Sequence, residues 1–164
     1  MKKIKGVKRD NGFTLMEVII VITLLGMIVG LTTFVGFDSY RGSSFRSERD
    51  ALIGVMQRAR SMATNNICLG GCTNGKHGVH ITATEFTIFQ GSDYLTRDSS
   101  YDEITKMGPL VQIAPGSFTD VIFSGLSGDA TTLPSGVSTL TMTDATGHNS
   151  VITIQSFGQI TWTN

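Results

Sequence analysis

The stretch Phe13–Phe37, FTLMEVIIVITLLGMIVGLTTFVGF, decides the reading of this chain, because it holds a single charged side chain, Glu17. At about 1.5 Å of rise per residue such a run forms a helix long enough to cross the ~30 Å hydrocarbon layer of a bilayer. Lys2, Lys3, Lys5, Lys8 and Arg9 precede it, against Asp10 alone. Cations before an apolar span predict that the N-terminus stays cytoplasmic and that the body of the chain is exported. A secretory signal peptide fits this stretch poorly. Signal-peptide cores are typically ~7–15 residues long and end at a small-residue cleavage site, whereas this run is longer and begins at a small residue, Gly12. A plain membrane anchor has no use for Glu17, since a carboxylate costs about 2.5–3.5 kcal/mol near the bilayer centre and less near an interface.

Outward from that segment, 164 residues with 40% hydrophobic composition bound the chain to one modest domain plus an appendage. The 13 basic and 13 acidic residues cancel over the whole chain. Removal of residues 1–12 takes away five basic residues and one acidic residue, leaving 8 against 12, a net charge of −4. That balance discourages nonspecific contact with nucleic acid.

Gly12–Phe13–Thr14–Leu15–Met16–Glu17, between a basic leader and an apolar helix, resembles the cleavage and methylation signal of type IV prepilins and type II secretion pseudopilins. The resemblance implies that a membrane aspartyl peptidase cuts the Gly12–Phe13 bond and that the same enzyme methylates the new amine of Phe13. It also implies a role for Glu17. Cleavage creates a cation at Phe13 and methylation preserves it, so an incoming subunit can bring that charge to the buried carboxylate of a neighbour. In low dielectric the unpaired charge is the expensive state, so the pair favours docking in register. Gly26-x-x-x-Gly30 has the small-xxx-small spacing that lets membrane helices approach closely. The alternative is that these glycines only soften the helix.

Helical periodicity continues beyond the apolar run. Phe45, Leu52, Val55, Met56, Ala59, Met62 and Ala63 recur at intervals of three, four and seven, with Arg46, Glu48, Arg49, Asp50, Gln57, Arg58 and Arg60 mostly between them. A helix from near Phe13 to near Asn65 is expected, with Gly42–Ser43–Ser44 as a place to bend or interrupt it. After Asn66 the period becomes two. Strands are expected at Gly78–Ala83, Glu85–Gln90, Leu110–Ile113, Asp120–Phe123, Ser138–Thr143, Val151–Gln155 and Gln159–Trp162. Asp144–Gly147 reads as a hairpin turn, Phe157–Gly158 as a tight connection, and Gly91–Asp102 as a polar loop.

Leu52-x-x-x-Met56-x-x-Ala59-Arg60-Ser61-x-Ala63 and Ser138–Trp162 look like the helix ending and C-terminal strands of the GspH/FimT group of minor pseudopilins. The implied fold is α+β and pilin-like: a long N-terminal helix, transmembrane in its first half, packed on a small antiparallel β head. The expected divisions are a cleaved leader at 1–12, a membrane and filament-core helix at 13–37, its amphipathic continuation at 38–66, and the head at 67–164.

Cys68 and Cys72 lie in CLGGC on the exported side, where a small disulfide loop is the leading reading. Cys68-x3-Cys72-x4-His77-x2-His80 also offers four zinc-ligand types, but two histidines three apart on one strand point to opposite faces. Free thiols are the third reading. Asp98, Asp102 and Glu103 lack the alternating pattern of a calcium loop. The chain has no Gly-x-Ser-x-Gly, no His-Glu-x-x-His and no phosphate loop, so no enzyme activity, cofactor or metal is expected. Some FimT-like pilins bind DNA through C-terminal basic residues, yet the last sixteen residues here contain no Lys or Arg.

The functional expectation is a structural, minor subunit of a type IV pilus-like filament or type II secretion pseudopilus. Its rivals are a DNA-binding competence pilin and a membrane-anchored binding domain. The implied partners are the prepilin peptidase and methyltransferase, other pilin or pseudopilin subunits, an inner-membrane assembly platform and membrane lipid, with nucleic acid disfavoured. The implied location is the inner membrane and then a periplasmic or cell-surface filament.

Overall fold

The computed structural model describes residues 12–71, 75–131 and 138–164, and the chain divides into two compact units after Tyr40. One helix, α1 (Leu15–Thr64), precedes eight strands: β1 (His77–Ile81), β2 (Glu85–Gln90), β3 (Glu103–Lys106), β4 (Val111–Ile113), β5 (Asp120–Phe123), β6 (Thr139–Asp144), β7 (Asn149–Ile154) and β8 (Ile160–Thr163). The fold is α+β and pilin-like, as the sequence implied.

In the first unit the stretch Leu15–Thr32 has a mean hydropathy of 2.4 and none of it is buried by the rest of the chain. Its two hydroxyls are satisfied within the helix. Thr23 Oγ1 donates to the carbonyls of Ile19 and Ile20, and Thr32 Oγ1 to those of Ile28 and Val29. An apolar surrounding would penalise a hydroxyl left without such a partner.

In the second unit α1 lays Phe45, Leu52, Met56, Ala59 and Ala63 into a core completed by Val79, Phe86, Phe123, Leu140 and Ile152 from the strands. The three-four spacing of the helical set produces one apolar stripe. Helical structure continues through Gly42–Ser44, where the sequence allowed a break. One helical glycine costs only about 1 kcal/mol, which burial of the following Phe45 can offset. At its C-terminus α1 closes on Asn66, whose φ is 50°. Asn66 N–H donates to the Ala63 carbonyl and Ile67 N–H to that of Met62, both at 2.9 Å, the paired bonds of a Schellman cap.

The strands form two antiparallel sheets of four, ordered β3-β2-β1-β5 (sheet A) and β4-β6-β7-β8 (sheet B). The β6–β7 hairpin turns at the expected place, with Gly147 at φ 91° and the Asp144 carboxylate accepting the backbone N–H groups of Thr146 and His148. Burial pushes that carboxyl up, but side-chain and backbone hydrogen bonds from Thr146 and His148 outweigh it and hold it well below the usual carboxylate range. Gly158, at φ 77°, makes the tight β7–β8 connection by donating to the Gln155 carbonyl at 2.8 Å. A Cβ there would strike the Gly128 carbonyl oxygen, so both the backbone angle and the space demand glycine.

Two features depart from the sequence expectation. β3 was not foreseen: EITK is short and charged at both ends, the character of an edge strand, and it pairs with Glu85–Ile88 of β2. Arg49, expected among the outward residues of α1, is only 8% exposed. Its guanidinium is held by the Asp50 carboxylate, at 2.8 Å from Nη2, and by Asn164 Oδ1, at 2.6 Å from Nη1, and lies 5.7 Å from the centre of the Trp162 ring. A buried cation is tolerable because it is paired and hydrogen-bonded.

Candidate functional site

The N-terminal end of α1 gathers the residues to which the sequence assigned processing and assembly. Gly12, Phe13 and Thr14 precede the helix, and Phe13 is 82% exposed. Thr14 is the helix cap. Its Oγ1 accepts the Glu17 backbone N–H at 3.3 Å, which satisfies one of the donors that every helix start leaves open, and its carbonyl accepts the first intrahelical bond, from Val18 N–H at 3.2 Å. The cap was legible but not singled out, since Thr14-x-x-Glu17 has capping-box spacing. Phe13 and Glu17 line one shallow apolar depression with Val18, Val21 and Ile22. The carboxylate thus sits on an uncovered apolar face within a turn of the Phe13 backbone.

Residues 7–33 match the family model for the prokaryotic N-terminal methylation motif. That match covers the end of the basic leader with Lys8 and Arg9, the Gly12–Phe13 junction, Glu17 and most of the apolar run, and it supports a processed, type IV pilin-like or pseudopilin protein. No curated protein and no solved structure matches the chain.

Further along the methylation-motif helix, Gly26 and Gly30 leave open surface: a Cβ added at either would meet nothing within 4 Å outside the neighbouring helix backbone. The expected partner of Cys68, Cys72, lies outside the described residues, as does the leader before Gly12. Leu69, next to Cys68, is held by Gln90, whose side-chain amide accepts from the Leu69 N–H at 2.8 Å and donates to its carbonyl at 2.9 Å.

The other candidate ligands have local partners. Asp102 receives Arg97 Nε at 2.8 and 3.0 Å, and Glu103 receives Arg58 at 2.9 Å. Asp98 caps the 3-10 turn Ser99–Tyr101, and the Ser100 backbone N–H, followed by its side chain, keeps its carboxyl below the usual range. His80 bonds Asp120 at 2.7 Å and stacks on Tyr94 with ring centres 3.7 Å apart. Arg97 packs on the same Tyr94 ring at 3.5 Å and donates to the Tyr94 carbonyl at 2.6 Å. The expected polar loop Gly91–Asp102 is therefore strapped onto sheet A. Phe89, edge-on to Tyr94, lies beneath it, and Gly78 leaves room for the Phe89 ring.

His77 shares β1 with His80 but is 1% exposed. Its Nδ1 lies 3.2 Å from the Gly75 carbonyl, which can only accept, so the proton sits on Nδ1 and the buried Nε2 has no partner among the described residues. Burial lowers the His77 pKa, against the raising effects of the Gly75 carbonyl and the Glu103 charge. An unfolded chain takes up a proton near pH 6.5 that the folded one resists, so stability present at neutral pH is lost as the pH falls below about 6.5. Detergent-solubilised chain should melt at a lower temperature at about pH 5 than at about pH 7.5. His77→Leu should reduce that difference, and an unchanged difference would contradict the assignment.

Proposed function

We propose that this chain is a structural, minor subunit of a type IV pilus-like filament or type II secretion pseudopilus, of the GspH/FimT kind. The observation that carries the reading is the methylation motif at residues 7–33, placed on a helix whose apolar stretch Leu15–Thr32 is entirely uncovered. Such a surface needs lipid in one state and other helices in another. Cleavage at Gly12–Phe13 removes the cations of the leader and leaves the head, from about residue 67, outside the inner membrane. The new Phe13 amine, methylated and still cationic, pairs with Glu17 of a neighbouring subunit, and Gly26 and Gly30 let the helices approach closely. The partners are the processing peptidase, the assembly platform and other pilin-like subunits.

Mass spectrometry of the membrane fraction should find a mature chain beginning at N-methylated Phe13. A mature N-terminus between Thr33 and Ser47 would indicate ordinary signal peptidase and overturn the reading.

We further propose a Cys68–Cys72 disulfide that closes the loop after α1; no free cysteine occurs among the described residues. The denatured full chain should react with a thiol reagent only after reduction. Two titratable thiols accompanied by one bound zinc per chain would contradict this.

A further inference from the structure

We infer that a cavity at the start of the second unit binds the phosphate of an anionic phospholipid headgroup, an inference that rests on the membrane-anchored part of the reading above. The cavity, of about 230 Å³, lies between the first turns of α1 in that unit and the β6–β7 turn, and is lined by Gly42, Phe45, Arg46, Gly147, His148 and Asn164. All of these belong to the second unit.

The polar groups of this cavity are mostly donors. Arg46 is exposed, and among the described residues no carboxylate pairs with it. Its acidic neighbours in sequence are engaged elsewhere: Asp50 holds Arg49, and Glu48 lies against Gly108. Asn164 gives its Oδ1 to Arg49 Nη1, so the N–H groups of that amide are what it has left to offer. His148 Nδ1 lies 2.8 Å from the Asp144 carboxylate, which when ionised can only accept, so the proton sits on Nδ1 and Nε2 is the nitrogen free for a ligand. The ring of buried Phe45 stacks on this imidazole, with centres 6.0 Å apart. Gly42 keeps Nε2 open. A Cβ there would come to 3.7 Å from Nε2, in contact with it, so a larger side chain would cover the edge of the ring. Glycine weakens a helix interior, and at this position it leaves an open cavity in exchange.

A guanidinium, an imidazole and an amide N–H lining one cavity suit an oxyanion, and the several acceptor oxygens of a phosphate match them best. The position in the chain names the source of that phosphate. Gly42 and Arg46 follow Phe37, the last residue of the apolar run, by five and nine residues, and the exposed Arg41 adds a second cation before the cavity. Headgroups extend beyond the hydrocarbon layer of a bilayer, and arginine side chains near the end of a span reach back to them. With 8 basic and 12 acidic residues after Gly12, the processed chain is acidic, and an anionic bilayer repels it on balance. A cationic cavity beside the span is where the two can meet without that penalty. Two arginines and a histidine are too few to track the backbone of a nucleic acid.

The test follows the backbone amide NMR signals of Gly147, His148 and Asn149 in the full chain, reconstituted in bilayer discs of phosphatidylcholine alone or mixed with phosphatidylglycerol. The signals should move when phosphatidylglycerol is present, and scarcely when inorganic phosphate is added to discs of phosphatidylcholine alone. Arg46→Ala should weaken the response about tenfold, the loss of one charge-assisted hydrogen bond. Gly42→Leu, which covers Nε2, should abolish it with the melting temperature retained. Lys106→Ala, which removes an exposed cation from sheet A, should leave it unchanged. An undiminished response in Arg46→Ala and Gly42→Leu, an equal weakening in Lys106→Ala, or a full response to inorganic phosphate alone would overturn the inference. Insertion into the discs without any response would overturn this inference and leave the membrane reading standing. A chain that inserts into neither kind of disc would overturn both.

Discussion

The interaction on which the molecule depends is one it cannot make alone: cover for the apolar surface of Leu15–Thr32. A mean hydropathy of 2.4 with none of the stretch buried by its own chain describes a segment that water disfavours along its whole length. A soluble protein would fold such a helix into its interior. Here the apolar core that forms is separate, and uses the part of α1 beyond Tyr40. The exposed stretch suits lipid or other helices, and in the proposed filament Glu17 on its surface would make the contact between helices specific.

The second unit is correspondingly self-sufficient. Its helical stripe and the inner faces of both sheets share one core, and the chain leaves the helix through a completed cap at Asn66. The Leu126 N–H adds a bond to the Ala63 carbonyl, and Arg60 ties the carbonyls of Gly128 and Phe157 together. The C-terminal turns are thereby fastened to α1, which carries the motif at its other end.

What could be read from the sequence follows the range of the interactions involved. The apolar run, the Gly12–Phe13–Glu17 signal, the β-branched and aromatic runs of β1 and β2 and the alternation in β6 and β7 are local patterns that the sequence reports directly. β3 escaped because four residues with charged ends carry little periodic signal, and only pairing with β2 makes them a strand. Arg49 escaped because its burial depends on Asn164 and Trp162, more than a hundred residues away. The strap over sheet A was invisible for the same reason: Tyr94 is fixed by His80 and Arg97 through the fold. At the candidate site the cap at Thr14 was within reach of the sequence. The proposed pairing of Phe13 with another chain's Glu17 would be a property of an assembly, which neither one sequence nor one chain displays.

That pairing is where the account is most exposed. Glu17→Ala removes the carboxylate while making the apolar stretch more hydrophobic, so membrane insertion and cleavage at Gly12–Phe13 should survive. An incoming Phe13 amine would then be buried without a partner, a loss of about 3–5 kcal/mol for a broken buried pair. The decisive measurement is the amount of processed Glu17→Ala chain in sheared filaments relative to the membrane. The account predicts a processed protein retained in the membrane and missing from filaments; recovery in filaments at the wild-type level would contradict it.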